Sequence, residues 1–233
     1  MSIKDNLNAI KERIAKAASD AGRAETDIRL MAVSKFHPIE AVIAAYDAGQ
    51  TLFGENRVQE IKEKFVSIEA RKEKFPGMEL HMIGSLQKNK AGQVVQLVDC
   101  IESVDRDELI EALAKEAGKR GCTVPLLLEL KTGEDSKSGY ADADALCRAV
   151  EKMLQYPCLQ ARGLMTMAPF VNDDAAIRGA FIKTRKAFEL LKQKFPDCSW
   201  ETLSMGMSGD FEIAIQEGSN LVRIGTAIFG ERT

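Results

Sequence analysis

Ile28-Arg29-Leu30-Met31-Ala32-Val33-Ser34-Lys35-Phe36-His37-Pro38 is the stretch whose reading decides the fold. From Ile28 to Ser34 the run is short and mostly apolar, as in a strand buried on both faces. Pro38 suits the first turn of a helix, where its missing N–H would have no intrahelical partner anyway. That helix is expected over 39–48, with Gly49 as its stop. An open doubly wound sheet would place a glycine-rich dinucleotide turn directly after such a first strand. Here the turn reads Ser34-Lys35-Phe36 and holds no glycine.

Working outward, the same strand–loop–helix unit recurs. On the N-terminal side, Ile3, Leu7, Ile10, Ile14 and Ala17 form one helical stripe over 2–21, ended near Gly22. On the other side, short strands are expected at 51–53, 80–83, 100–104, 124–130, 162–166, 201–204 and 220–224. Helices follow them to about Arg71, over 87–98, to Gly121, to about Leu154, to near Phe195 and over 210–217. Asp105 and Glu108 have the spacing of an N-cap and its capping-box partner. Arg71-Lys72-Glu73-Lys74 reads as a mixed-charge helix end on a solvated face. Eight such units in 233 residues predict a single α/β domain over 1–233. It is a TIM-type (β/α)₈ barrel over 28–230, preceded by an extra N-terminal helix within 1–22.

Composition narrows the function classes. Apolar residues make up 45% of the chain, enough for a sizeable core without disulfide or metal staples. With 32 basic and 35 acidic residues the net charge is −3, which supplies no field for nucleic acid or anionic lipid. No uninterrupted apolar run is long enough for a signal peptide or a membrane span, so a cytoplasmic location is expected. The five cysteines are scattered and form no C-x-x-C pair, as expected of reduced thiols. Two histidines, distant from any cysteine or acidic cluster, argue against a metal site.

Barrels of this kind carry their chemistry where strands end and the following loops begin. Those positions collect Lys35, Glu55, Asn56, Ser85, Asp105, Lys131, Ser204, Ser208, Arg223, Gly225 and Thr226. Lys35 emerges from the apolar wall Leu30–Val33, either to reach solvent or to offer a desolvated amine to an aldehyde. Ser204-Met205-Gly206-Met207-Ser208-Gly209-Asp210 and Arg223-Ile224-Gly225-Thr226 end the last two strands. Glycines that bare backbone N–H groups, with hydroxyls beside them, make a phosphate cradle at the usual place in this fold. A phosphate and an amine at one mouth fit two chemistries. One is a sugar-phosphate aldolase working through a lysine imine; the other is pyridoxal 5′-phosphate (PLP).

Longer motifs bear on that choice. They include Phe53-Gly54-Glu55-Asn56-Arg57-Val58-Gln59-Glu60 and His81-Met82-Ile83-Gly84-Ser85-Leu86-Gln87-Lys88-Asn89-Lys90. Gly133-Glu134-Asp135-Ser136-Lys137-Ser138-Gly139, Leu203-Ser204-Met205-Gly206-Met207-Ser208 and Val222-Arg223-Ile224-Gly225-Thr226-Ala227-Ile228-Phe229-Gly230 follow in the same order. Through them the chain resembles the PLP homeostasis protein family, related to the N-terminal barrel of alanine racemase. The resemblance implies that Lys35 holds PLP as a Schiff base, the internal aldimine. It implies that Ser204, Ser208, Gly225 and Thr226 hold the phosphate, that Arg223 faces the pyridine nitrogen and that Asn56 lies near the cofactor.

The resemblance also implies an absence. Alanine racemase adds an all-β domain and a tyrosine base from its partner subunit, whereas this chain ends at Thr233, directly after the last motif. Tyr46, Tyr140 and Tyr156 include no evident second base. The expectation is therefore a monomeric carrier or regulator of PLP in vitamin B6 homeostasis, exchanging cofactor with PLP-dependent apoenzymes and not catalysing turnover. A small PLP-dependent amino-acid racemase and a lysine-imine aldolase are the alternatives. Lys137 reads as a solvated loop lysine, or as a secondary phosphate contact.

Overall fold

The computed structural model describes residues 2–133 and 138–230. Its eight strands are β1 (Arg29–Val33), β2 (Leu52–Glu55), β3 (Glu79–Met82), β4 (Cys100–Val104), β5 (Val124–Glu129), β6 (Leu159–Met165), β7 (Thr202–Ser204) and β8 (Leu221–Ile224). They form one closed barrel in chain order. Every pairing is parallel, and closure is made by β1 against β8, with Met31 opposite Arg223 and Ala32 opposite Ile224. Parallel pairing puts all eight C-terminal ends, and the loops that follow them, on one face.

The helices are α1 (Ile3–Asp20), α2 (Ile39–Asp47), α3 (Val58–Lys64), α4 (Ile68–Lys74), α5 (Ala91–Val94), α6 (Asp107–Arg120), α7 (Ala143–Met153), α8 (Asp174–Lys194), α9 (Phe211–Gln216) and α10 (Thr226–Phe229). The extra helix, α1, begins with a capping box in which Ser2 Oγ accepts from Asp5 N–H and the Asp5 carboxylate accepts from Ser2 N–H. It buries Leu7, Ile10 and Ile14 and packs on α9 and α10. Asn6 Nδ2 donates to Ile228 O at 2.9 Å, and Arg13 pairs with Glu212 at 2.5 Å, so polar bonds fix the same docking. No helix among the described residues is long and apolar enough to cross a membrane.

Local details differ from the sequence reading at several places, the first being the helix expected over 87–98, which is a 3₁₀ turn at Lys88–Lys90 followed by the short α5. Pro38 is the N-cap of α2, one residue before the first helical turn. The Asp105 capping box does not form: Arg106 is the N-cap of α6, and the Asp105 carboxylate pairs with the Arg106 guanidinium instead. The helix after β2 breaks in two, because Phe65 turns extended and buries its ring while Ser67 caps a new helix through Ala70 N–H. That break overturns the solvated-face reading of Arg71. Arg71 is only 2% exposed; it donates to Leu97 O at 2.5 Å and pairs with Asp99, while Lys72 and Lys74 stay exposed. The expectation for Lys137 falls outside the described residues.

Removing one partner of a buried ion pair leaves the other badly solvated. Arg71→Met is expected to cost about 3 kcal/mol in urea unfolding, at the lower end for such pairs because Lys72 also reaches Asp99 at 3.2 Å. A cost below about 0.5 kcal/mol would restore the solvated-face reading.

Candidate functional site

The C-terminal face of the barrel opens into a cavity of about 550 Å³. Lys35, Asn56, Ser85, Ser208, Arg223, Gly225 and Thr226 line it, as do Phe36, His37, Glu129 and Asp210. Met165, Met167, Met207, Ile83 and Phe170 supply apolar wall. Residues from both ends of the chain thus meet at one mouth. Glu55, Asp105, Lys131 and Ser204, also collected from strand ends, are not among the lining residues.

Lys35 sits between two pinned neighbours. Before it, buried Ser34 donates its hydroxyl to Glu55 at 2.7 Å, and Lys64 Nζ donates to both Ser34 O (2.8 Å) and Glu55 (2.5 Å). Burial pushes the Glu55 carboxyl up, against the charge and hydrogen bond of Lys64 and the Ser34 hydroxyl. After it, Phe36 holds a left-handed φ of 65°, unusual for a bulky residue. Glu60 accepts the Phe36 N–H at 2.8 Å, and the Arg57 guanidinium lies 5.1 Å over the ring. The backbone that carries Lys35 is therefore fixed on both sides.

The opposite rim is built from close backbone approaches. Gly206 has φ 99°, and a Cβ there would lie 2.7 Å from Ala214 Cβ and 2.9 Å from Phe211 Cα. The loop after β7 accordingly packs flat on the start of α9. Its carbonyl accepts Arg223 N–H at 3.0 Å, which ties this loop to β8. The Asp210 carboxylate takes Met207 N–H at 2.5 Å, and burial pushes that carboxyl upward. Gly84 is confined by Asn56: a Cβ would lie 2.3 Å from Asn56 O, so the ends of β2 and β3 meet without a side chain between them.

Below this rim the barrel interior is charged. Arg223, 5% exposed, donates Nη1–H to Ser204 Oγ at 2.6 Å and Nη2–H to Thr166 O at 2.7 Å. Ser204 donates its own hydroxyl to Glu102 Oε2 at 2.6 Å, and Glu102 Oε1 meets His81 Nδ1 at 2.7 Å. The Ser204 side chain thus serves Arg223 and Glu102 beneath the cavity floor. Burial would raise the Glu102 carboxyl, yet the His81 hydrogen bond and charge, the Arg223 charge and the Ser204 bond together hold it low. Burial would likewise lower His81, and its bonds to Glu102 and Glu79 outweigh this and raise it. Arg223 is pushed down by burial but opposed by Glu102, Glu129 and Asp210; a guanidinium stays charged through such a shift.

Glu129 is the pocket residue that the sequence reading passed over. It ends β5, is 3% exposed, and among the described residues its carboxylate meets the Ser138 hydroxyl at 3.4 Å. Burial foremost, and then the nearby Asp105 charge, push its carboxyl up to about 7, against the pull of Arg223 and Ser138. Glu102 and His81 were passed over as active parts too. The one signal for the two acids is a carboxylate inside an otherwise apolar run, Cys100–Val104 and Val124–Leu130. Among the described residues no group of three His, Cys, Asp or Glu is arranged to hold a metal ion.

The Glu129 shift carries a pH signature. Its folded value near 7 lies above the ordinary 4.5, so the folded state binds the extra proton between the two, and stability falls as pH rises through that window. Glu129→Gln removes this penalty. In urea unfolding the variant should gain on the parent by on the order of 3 kcal/mol between pH 4.5 and pH 8. An equal difference at both pH values would show that the carboxyl is already ionised at the acidic end.

Comparison with known proteins places this chain in a family. The model of the alanine racemase N-terminal domain matches residues 6–233. A pyridoxal phosphate homeostasis protein of Pasteurella multocida is 41% identical, over 100% of this chain and 98% of its own. A solved structure of an unknown protein from Bifidobacterium adolescentis superposes with a TM-score of 0.91 at 39% identity, covering 97% of this chain and 94% of that one. PipY of Synechococcus elongatus, solved with PLP bound, gives 0.81 at 38% identity, over 95% of this chain and 100% of its own. The chain belongs to the pyridoxal phosphate homeostasis protein family, on the barrel shared with the alanine racemase N-terminal domain.

Proposed function

We propose that the protein binds PLP covalently through Lys35 and serves intracellular PLP homeostasis as a carrier or regulator, without catalytic turnover. The observation that carries this reading is that Lys35, the Ser208 and Thr226 hydroxyls and the buried Arg223 guanidinium share one cavity. The residues fit the cofactor. Its aldehyde and its phosphate arm sit on neighbouring ring carbons, so an amine and a phosphate cradle must be close neighbours. Lys35 follows β1 and Thr226 follows β8, and these two strands pair directly. A cavity of about 550 Å³ is of the size that small-molecule sites take. The PLP-bound PipY structure supports the same assignment by analogy.

Bound PLP supplies an electrophilic aldehyde and a conjugated ring that can draw electrons from an attached carbon. In this reading Lys35 Nζ would condense with the aldehyde, releasing water, while Ser208, Gly225 and Thr226 would hold the phosphate and Asn56 would stand beside the ring. Arg223 faces the ring nitrogen and keeps it unprotonated, because a guanidinium does not give up its proton. An unprotonated ring draws electrons poorly, which suits holding the cofactor better than using it. The Ser204 hydroxyl is engaged by Arg223 and Glu102, so its part is to orient Arg223. The chain acts as one cytoplasmic, monomeric barrel domain over 1–233, handing PLP to apoenzymes.

One observation favours a second reading, a small PLP-dependent amino-acid racemase. Glu129 shares the cavity with Lys35 and ends β5, across the closed barrel from β1, where a second proton-moving group would be wanted. Deuterium entering the α-position of alanine in heavy water, at rates of catalytic use, would put this reading first.

The central test is borohydride reduction of the protein with PLP added, followed by peptide mass mapping. The expected result is a phosphopyridoxyl group on Lys35 in the parent and none at the corresponding position in Lys35→Ala. An adduct at another lysine of the parent, or no adduct at all, would overturn the assignment.

A further inference from the structure

Interiors of such barrels are usually filled by layers of branched apolar side chains. Here His81 (6% exposed), Glu102 (0%), Ser204 (0%) and Arg223 (5%) occupy interior positions contributed by β3, β4, β7 and β8. Each ion removed from water costs several kcal/mol unless its partners satisfy it. The contacts form one chain. Arg29 pairs with Glu79 at 2.7 Å, His81 Nε2 stands 3.7 Å from Glu79, and His81 Nδ1 meets Glu102 at 2.7 Å. Glu102 accepts from Ser204 at 2.6 Å, and Ser204 accepts from Arg223 at 2.6 Å. Basic and acidic groups alternate along it, from exposed Arg29 to the guanidinium at the cavity floor.

Three of these contacts fix geometry. Glu102 spends one oxygen on His81 and the other on Ser204, so its carboxylate plane is set from two sides. Ser204 has a single proton, and giving it to Glu102 leaves its lone pairs for Arg223 Nη1–H. Thr166 O holds the second arm of the guanidinium. Rotation of Arg223 is thereby stopped, and its charge is balanced from below by a carboxylate that does not touch the cavity.

From this geometry we infer that Glu102 is a positioning residue for the ligand site: acting through the Ser204 hydroxyl, it orients Arg223 and balances its charge. His81 completes the arrangement by holding the remaining Glu102 oxygen. The inference rests on the PLP reading only for its optical readout. It assigns Ser204 to this relay in place of a contact with phosphate.

The test compares the parent with Glu102→Gln, Ser204→Ala and Ser204→Thr, each checked for folding by its thermal melt. PLP and pyridoxal, which lacks the phosphate, are titrated separately while the absorbance of the bound ligand is followed. Glu102→Gln and Ser204→Ala should shift that absorbance and weaken both ligands about tenfold, the loss of one orienting charge-assisted bond. Ser204→Thr, which keeps the hydroxyl, should restore the parent spectrum and affinity. Folded Glu102→Gln and Ser204→Ala proteins with unchanged spectra would overturn the inference. So would a Ser204→Ala defect seen with PLP but not with pyridoxal, since a phosphate contact predicts that. Should Glu102→Gln fail to fold, the Ser204 pair decides alone.

A ligand-free arm separates this from the PLP reading. Amide-type exchange of the Arg223 guanidinium protons, read by ¹⁵N NMR, should quicken about tenfold in Ser204→Ala and return with Ser204→Thr. Unchanged exchange in Ser204→Ala would overturn the relay even if PLP binds. A parent protein that binds no PLP but shows this pattern would sink the functional reading and leave the relay standing.

Discussion

A guanidinium cannot shed its proton to escape burial, so Arg223 imposes a charge on the barrel interior that the rest of the structure must answer. Glu102 answers it from β4, and His81 on β3 answers Glu102 in turn. The Glu102–Ser204 bond reaches across the barrel from β4 to β7, which makes strand closure and polar satisfaction one requirement. An open sheet could not gather β3, β4, β7 and β8 around one point. The same constraint explains why the interior departs from layered aliphatic packing while the outer faces of the strands keep it. Apolar residues such as Leu80, Ile101, Leu128 and Val222 belong to the main hydrophobic core beneath the helices.

This division separates two kinds of residue at the mouth. Lys35, Ser208, Gly225 and Thr226 face the cavity, on loops whose backbones are pinned by Glu60, Asp210 and close glycine contacts. Ser204, Glu102 and His81 stand under them and touch no ligand space. Glu129 belongs with the first group by position, and its difficulty in ionising follows from burial foremost and then from the nearby Asp105 charge. Two buried acids flank Arg223, one held charged and the other held near neutrality. Their environments, not their chemistry, set the difference.

The alternation of apolar strands and helices was readable in the chain because the strands are short and largely buried and several helices stop at a glycine, as at Gly49 and Gly121. Strand-end positions followed from that alternation, which is how Lys35 and Arg223 could be brought together from opposite ends of the sequence. What lay beneath was not readable. Whether Glu102 points inward or out depends on strand tilt and closure, which no local pattern reports. Arg71 hid for a similar reason, since the break at Phe65 rotates the helix that carries it. The Asp105 spacing suggested a cap, but the adjacent Arg106 guanidinium competes for that carboxylate and wins. Tertiary partners settled each of these positions.

The docking of α1 on α9 and α10 has a consequence in time. Leu7, Ile10 and Ile14 are made long before the α9 and α10 surface that covers part of their stripe. At about 5–20 residues per second, that stripe waits roughly 10–40 s for its partners. Closure of β1 on β8 waits equally long, and with it the mouth that holds Lys35 and Thr226 together. A nascent chain can therefore assemble this site only once β8 and α10 have been made. Until then α1 can cover its apolar stripe only with α2 and the 25–27 turn, and the remainder is left for chaperones to shield.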